Sequence, residues 1–291
     1  MTSKEALPEP TNPLGVDGIE FIEYATAQPQ ALGTVLQSMG FMPVARHRSR
    51  EVMLYRQGTM NLIVNAHPEA LLGVAAPTDT PELKAIALRV RDAGYAWHHA
   101  IDLGAWEIPT RASAMELNIP GVRGVGGSLL YFVDRYTDFS IYDVDFVPLP
   151  GVERQPPALA GLHYFGVVQT IGPDRTADWV DFYRTLLDFS VLPTGQYFGI
   201  LPKGTLLESP CHKFYLQLIE PPPGSDDIVW TEGLLRIGLG AADVLAATRA
   251  LKSRGVVFVD RGAVHTSEKG ALTQVYLGGV TFELVVSHLR P

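Results

Sequence analysis

Four similar units follow one another along this 291-residue chain, and the repeat limits the possible folds more than any other feature. Each unit opens with a short apolar run typical of a strand, and the four runs begin at residues 19, 85, 163 and 234. The starts lie roughly 65 to 80 residues apart, which is the length of one supersecondary unit. The chain is therefore expected to contain four copies of one motif.

A helix and further strands are predicted after each opening run. The third helix is the clearest, because Trp179, Phe182, Tyr183 and Leu186 recur at the i, i+3, i+4, i+7 spacing of one helix face. Runs rich in β-branched and aromatic residues follow the helices, for example at residues 214–218 and 280–285. Each unit thus predicts a β-α-β-β-β module.

One such module cannot cover its own sheet, so the modules are expected to pair two and two. The pattern predicts an α+β protein with two domains, each a curved mixed sheet with helices on the outside. Modules one and two form the N-terminal domain, residues 1–150, and modules three and four form the C-terminal domain, residues 161–291. The proline-rich segment 151–160 is predicted to be a stiff linker between them.

Charge and composition exclude several classes of function. Lys and Arg total 23 against 31 Asp and Glu, a net charge of −8, so binding to a nucleic-acid backbone is not expected. No run of about 18 uncharged apolar residues predicts a membrane span. Residues 1–13 contain Lys4, Glu5 and three prolines, unlike a signal peptide or an anchor. The single cysteine, Cys211, fits a reducing compartment, so a cytoplasmic protein is expected.

Several segments of the first half are similar to one family. They lie at residues 12–24, 44–49, 54–58, 88–93, 121–127, 134–136 and 141–146. Together they resemble bacterial 4-hydroxyphenylpyruvate dioxygenases over nearly all of the first 150 residues, and the second half resembles them more thinly. The resemblance implies the vicinal oxygen chelate fold of paired βαβββ modules. It also implies a homodimer or homotetramer, with the N-terminal domain serving structure and assembly.

The resemblance places the chemistry in the C-terminal domain. It implies a site where two His and one Glu bind Fe(II) and leave open positions for a 2-oxo acid and O2. The matching residues here are His163, Arg236 and Glu283, and Gln274 matches a glutamine that orients the substrate. Arg236 stands in place of the second His, and a protonated guanidinium has no lone pair for a metal.

Arg236 admits two interpretations. In the first, its guanidinium pairs with Glu283, no metal binds, and the fold holds a pocket that recognises a carboxylate or an enolate. In the second, Fe(II) or another divalent metal remains, held by His163, Glu283 and the carbonyl oxygen of Gln217. Gln217 is the substitute because the internal repeat relates its position to that of Glu283. The sequence leaves both interpretations open.

Other positions also depart from the family pattern. Leu235 and Ile219 stand where the resemblance implies a pocket glutamine and a pocket asparagine. The family has a C-terminal helix that covers the active site, whereas this sequence stops at Pro291, soon after the last predicted strand. We therefore expect the covering helix to be lacking, which weighs against unaltered chemistry because water would reach reactive intermediates.

Two functions follow from these alternatives. One is Fe(II)-dependent dioxygenation of an aromatic or 2-oxo acid by O2, with His163, Glu283 and Gln217 on the metal and Gln274 and Arg236 around the substrate. The other is a metal-independent lyase, isomerase or small-acid-binding protein that uses Arg236 and Glu283. Both predict a small-molecule acid as the partner.

Overall fold

The computed structural model describes residues 12–67, 77–109, 117–201, 204–222, 224, 230–262, 264–287 and 289. Residues 1–11, most of the segment that we expect to be neither a signal peptide nor an anchor, lie outside the described residues. Within the described ranges, the helices are too short or too polar for any of them to cross a bilayer.

The first module has the predicted order of elements. They are β1 (Ile19–Ala25), α1 (Pro29–Ser38), β2 (Met42–His47), β3 (Val52–Gln57) and β4 (Met60–Asn65). Pro29 suits the first turn of α1 because its φ angle is fixed near the helical value. Leu32 and Leu36 bury the apolar face of that helix, and Gly40, at φ +96°, follows its end.

The second module adds strands to the same sheet. Its elements are β5 (Glu82–Arg89), α2 (Ala93–Asp102), β6 (Gly121–Arg123) and β7 (Leu129–Val133), followed by α3 (Ile141–Asp145) and β8 (Phe146–Pro148). The eight strands lie in the order β6-β7-β5-β1-β4-β3-β2-β8. The antiparallel pair β1–β5 joins the two modules at the centre of the sheet.

The third and fourth modules form the second sheet. Their elements are β9 (His163–Thr170), α4 (Thr176–Leu187), β10 (Ser190–Val191), β11 (Thr205–Glu208), β12 (Tyr215–Ile219), β13 (Gly233–Ala241), α5 (Val244–Lys252), β14 (Gly270–Leu272) and β15 (Phe282–Val286). The order is β10-β11-β12-β9-β13-β15-β14, and the antiparallel pair β9–β13 again joins the two modules. Two mixed sheets built from four modules confirm the predicted α+β fold.

The two sheets share one apolar core. Its largest buried cluster contains Ile22 and Leu62 from the first sheet and Val167 and Leu239 from the second. A smaller cluster, with Phe21, covers the opposite face of the first sheet and packs against α3. The shared core fixes both sheets in one body.

The segment 151–160 lies along the N-terminal sheet. The backbone N–H of Gly58 donates to the carbonyl oxygen of Pro156 at 2.8 Å, and the N–H of Leu159 donates to Oε1 of Gln57 at 2.9 Å. A single turn of 3-10 helix, Leu159–Gly161, then leads into β9. Hydrogen bonds as well as prolines therefore hold this segment in place.

Candidate functional site

The centre of the second sheet brings Glu283 into register with two glycines. Gly238 on β13 pairs with Gly166 on β9 on one side and with Glu283 on β15 on the other. A Cβ atom at position 166 would lie 2.1 Å from the carbonyl oxygen of Tyr215, so the backbone leaves room only for glycine there. Because residue 166 is a glycine, β9 places no side chain beside Gly238 that could contact a ligand bound to Glu283.

Arg236 and Glu283 form a buried ion pair. Arg236 Nε donates to Glu283 Oε2 at 3.0 Å, with 11% and 5% of their side chains exposed. Burial raises the pKa of Glu283, while the charge and hydrogen bond of Arg236 and the backbone N–H of Ile200 oppose that rise. The carboxylate therefore has a fixed cationic partner in a dry environment.

His163 lies away from this pair. It stands opposite Gly240, where its imidazole covers the glycine, and its Nε2 lies 3.0 Å from Ser287 Oγ. Its Nδ1 lies 3.2 Å from the carbonyl oxygen of Gly161. Ser287 comes four residues after Glu283, a separation of about 13 Å at strand rise. Burial lowers the pKa of His163, which favours a neutral ring. The structure does not bring His163 and Glu283 together.

The two predicted glutamines lie in different places. Gln217, on β12 opposite Val168, lines a small cavity that Glu283 also lines. Gln274 is exposed beyond the end of β14, and its backbone N–H donates to the carbonyl oxygen of Val257. Of the sequence-predicted site residues, only Arg236, Glu283 and Gln217 therefore cluster.

The cavity beside Glu283, which we call the C-terminal cavity, has a volume of about 30 Å³. It is small because the segment 195–201 enters it. The ring of Phe198 lies 5.1 Å from that of Phe165 and 4.7 Å from that of Tyr215. Gly199, at φ +69°, lies so close to Glu283 that a Cβ atom there would be 2.5 Å from Oε1. The remaining space holds one or two water molecules at most.

The described residues do not fit an iron ion. A two-His-one-carboxylate site needs three donors around one point. No group of three or more His, Cys, Asp and Glu residues in the described part of the chain could hold a metal. The Arg236 guanidinium occupies the side of Glu283 that a second ligand would need, and it cannot coordinate.

Phe198, Gly199 and Ser287 were missing from the sequence prediction. Residues 195–201 have neither helical nor strand periodicity, so the sequence offered no signal that they enter the sheet face. Ser287 lies just beyond the last strand, and only the pairing of β9 with β13 shows that His163 reaches it.

Comparison with known proteins identified a family model and several relatives. A family model described as "Hydroxyphenylpyruvate dioxygenase, HPPD, N-terminal" matches residues 10–147. A 4-hydroxyphenylpyruvate dioxygenase from Pseudomonas sp. (strain P.J. 874) is 40% identical over 198 residues, which cover 66% of this chain and 55% of that protein. The protein of the same name from Pseudomonas aeruginosa is 33% identical over 265 residues, covering 86% of this chain and 73% of the relative.

A solved structure supports the fold. It is titled "xylose isomerase-like TIM barrel/4-hydroxyphenylpyruvate dioxygenase fusion protein" and is similar with a TM-score of 0.72 at 24% identity. The match covers 98% of this chain and 51% of that one. The chain thus spans about half the length of this structure and of the Pseudomonas sp. relative.

Proposed function

Because the chain belongs to the 4-hydroxyphenylpyruvate dioxygenase family, we propose that it is a diverged, metal-independent member that binds a small aromatic or 2-oxo acid at Arg236. The observation that carries the proposal is the buried hydrogen bond of 3.0 Å between Arg236 Nε and Glu283 Oε2. That bond commits the carboxylate to a guanidinium instead of a metal ion.

Arg236 still has donors to offer. Among the described residues, its only hydrogen bond is the one from Nε to Glu283, so the two terminal nitrogens are available to an incoming carboxylate. Glu283 fixes the plane of the guanidinium, and a fixed fork suits bidentate recognition of a carboxylate or an enolate. Arg236 is thus the binding residue and Glu283 is the positioning residue.

Binding is favoured over lyase or isomerase chemistry at this site. Such a reaction needs a free base within reach of the substrate. Glu283 accepts from Arg236 and from the backbone N–H of Ile200, so it is not free to remove a proton. The imidazole of His163 is engaged by Ser287 in a different part of the sheet.

The cavity beside Glu283 can admit an acid only if the segment 195–201 moves, because Phe198 packs against Phe165 and Tyr215 there. The hydrogen bond from the Ile200 N–H to Glu283 must break at the same time. We expect Phe198→Ala to increase the affinity for the acid, since less apolar surface is displaced on entry.

Fe(II)-dependent dioxygenation is the second candidate, supported by the names of the 33% and 40% identical relatives. It requires that His163, Glu283 and Gln217 converge on one ion. The experiment that separates the two functions is anaerobic loading with Fe(II), followed by metal analysis, and calorimetric titration of 4-hydroxyphenylpyruvate into the protein in EDTA.

We expect well under one equivalent of iron, no oxygen uptake with 4-hydroxyphenylpyruvate, and saturable binding in EDTA. Arg236→Lys retains the positive charge but loses the planar guanidinium that can donate two hydrogen bonds to one carboxylate. This variant should therefore weaken the binding at least tenfold. One tightly bound iron per chain together with oxygen uptake would establish dioxygenation and exclude the metal-independent proposal. Absence of binding in EDTA would also reject it.

A further inference from the structure

A second cavity lies in the half of the protein that sequence analysis assigned to structure and assembly. It has a volume of about 630 Å³, against about 30 Å³ beside Glu283, and we call it the N-terminal cavity. Glu20 on β1, Asn61 on β4 and Arg89 on β5 form its polar floor, and Tyr136 and Tyr142 line it from the segment after β7. Its volume is that of sites for small organic ligands.

A hydrogen-bonded network crosses the floor of this cavity. Glu20 is 2% exposed, and its Oε2 accepts from Arg89 Nε at 2.6 Å. Its Oε1 accepts from Asn61 Nδ2 at 3.2 Å, and Asn61 Oδ1 in turn accepts from Arg56 Nε at 2.7 Å. Placing four polar side chains on the face of a sheet is costly unless all are satisfied. The network holds Arg56 and Arg89 in fixed positions at the cavity wall.

The cavity has an excess of positive charge. Arg48, Arg56 and Arg154 line it, and among the described residues none of them forms an ion pair with a carboxylate. Three carboxylates also line the cavity: Arg89 neutralises Glu20, Asp143 lies near Arg154 and Arg56, and Asp138 is the third. With Arg89 counted, four guanidinium groups face three carboxylates. An excess of guanidinium groups around one concave surface favours an anionic ligand.

One buried hydroxyl is only weakly satisfied. The Tyr142 side chain is buried and lines the cavity, and among the described residues its hydroxyl has no well-formed hydrogen bond, only a weak one to the nearby Glu20 carboxylate. Buried hydroxyls in folded proteins nearly always have a partner. An oxygen atom of a bound molecule would supply one here.

We propose that the N-terminal cavity binds a small organic acid whose carboxylate pairs with Arg56 and Arg154 and whose polar tail reaches Tyr142. The side chains of Val44, Leu54 and Phe146 form apolar walls for the body of such a ligand. The Arg56 guanidinium lies over the Tyr142 ring, 5.3 Å from its centroid, which places the charge and the hydroxyl at the same wall. This site is separate from Arg236 and does not depend on the function proposed above.

The test is calorimetric titration of 4-hydroxybenzoate, which carries a carboxylate, an aromatic body and a hydroxyl, into the full chain. The informative variants are Arg154→Gln and Tyr142→Phe. The Arg154 side chain is exposed and donates no hydrogen bond to the described residues, and the Tyr142 hydroxyl has only a weak contact with Glu20 to lose, so both variants should fold. Arg46→Gln is the matched control, because Arg46 is exposed on β2 and does not line the cavity.

We expect saturable binding that weakens at least tenfold in Arg154→Gln and severalfold in Tyr142→Phe, and by less than twofold in Arg46→Gln. The proposal is overturned if the wild-type protein shows no saturable binding, or if Arg154→Gln behaves like Arg46→Gln. In the second case the acid would bind outside the N-terminal cavity. Equal competition by inorganic phosphate would show that the site selects any oxyanion and not an organic acid.

Discussion

Arg236 and Glu283 neutralise each other on adjacent strands of the second sheet, with Nε 3.0 Å from Oε2 and both side chains largely withdrawn from water. A buried pair of this kind contributes little net stability, because desolvation of both charges offsets their attraction. Removing one partner is different, because it leaves an uncompensated charge inside the sheet.

Arg236→Met should therefore destabilise the protein by about 3–5 kcal/mol at neutral pH, and the double variant Arg236→Met/Glu283→Leu should recover most of that loss. Burial already raises the pKa of Glu283, and loss of the cation raises it further. The Glu283 carboxyl then holds its proton more tightly in the folded state than in the unfolded state. The loss of stability relative to the wild-type protein should therefore grow as pH rises above the ordinary carboxyl pKa. Urea unfolding at several pH values measures it, and additive losses in the double variant would contradict the coupling.

His163 and Ser287 supply a second prediction, on stability instead of metal binding. Burial lowers the pKa of His163, so the unfolded chain takes up a proton more readily than the folded protein. The stability due to the neutral imidazole is present above the unfolded pKa and is lost as pH falls below it. Ser287→Ala should cost about 1 kcal/mol through loss of the hydrogen bond to Nε2.

In His163→Gln the loss of stability between pH 7 and pH 5 should be smaller than in the wild-type protein, as measured by chemical unfolding. Metal content after Fe(II) loading should be the same in both. A fall in bound iron in His163→Gln would identify the residue as a ligand.

Glu23 makes the N-terminal sheet sensitive to pH. Burial raises its pKa to about 7, and the hydrogen bond from Asn65 Nδ2, at 2.9 Å, opposes only part of the rise. Because the folded state keeps the proton longer, stability should fall as pH rises from about 4.5 to about 7, by on the order of 3 kcal/mol. In Glu23→Gln this fall should disappear, since the amide accepts the same hydrogen bond without titrating. Thermal unfolding of both proteins across pH 4.5–8 provides the comparison. If the stability of Glu23→Gln changes with pH as the wild-type stability does, Glu23 is not the group responsible.

Gly126 and Gly127 form a matched pair for testing a close backbone contact. Both have positive φ angles, +61° and +74°. A Cβ atom at position 126 would lie 2.1 Å from the carbonyl oxygen of Glu232, whereas one at 127 would meet nothing within 4 Å. Gly127→Ala should cost about 1 kcal/mol from backbone strain alone, and Gly126→Ala should cost clearly more. If both variants lose the same free energy of unfolding in denaturant, the backbone at Glu232 moves aside for the Cβ atom at no measurable cost.

The repeat carried most of the fold prediction. Strand-like runs at regular spacing, each followed by one amphipathic helix, were enough to predict four modules in two mixed sheets. The pairing register of the strands could not be predicted from the spacing of the repeat. An irregularity between Gly238 and Leu239 shifts the pairing of β13 with β9 by one residue. A shift of one residue changes which residue of β9 lies opposite Gly238, the neighbour of Glu283, and here it is Gly166.

The candidate site was predictable only in part. Arg236 and Glu283 were singled out and they do meet, but the entry of Phe198 depends on a segment without periodicity. One sequence feature could have indicated the N-terminal cavity: Glu20, which lies in its floor, is one of two glutamates in an otherwise apolar strand. The homodimer or homotetramer and the cytoplasmic location stay predictions, which light scattering and fractionation of cells would test.

The largest buried cluster draws side chains from both sheets, so each half of the chain supplies a wall of the other's interior. Severing the chain near residue 160 would uncover apolar surface on both fragments, and the intact protein should melt in a single cooperative transition. Each half is therefore indispensable as scaffolding for its neighbour, whatever ligand its own cavity holds.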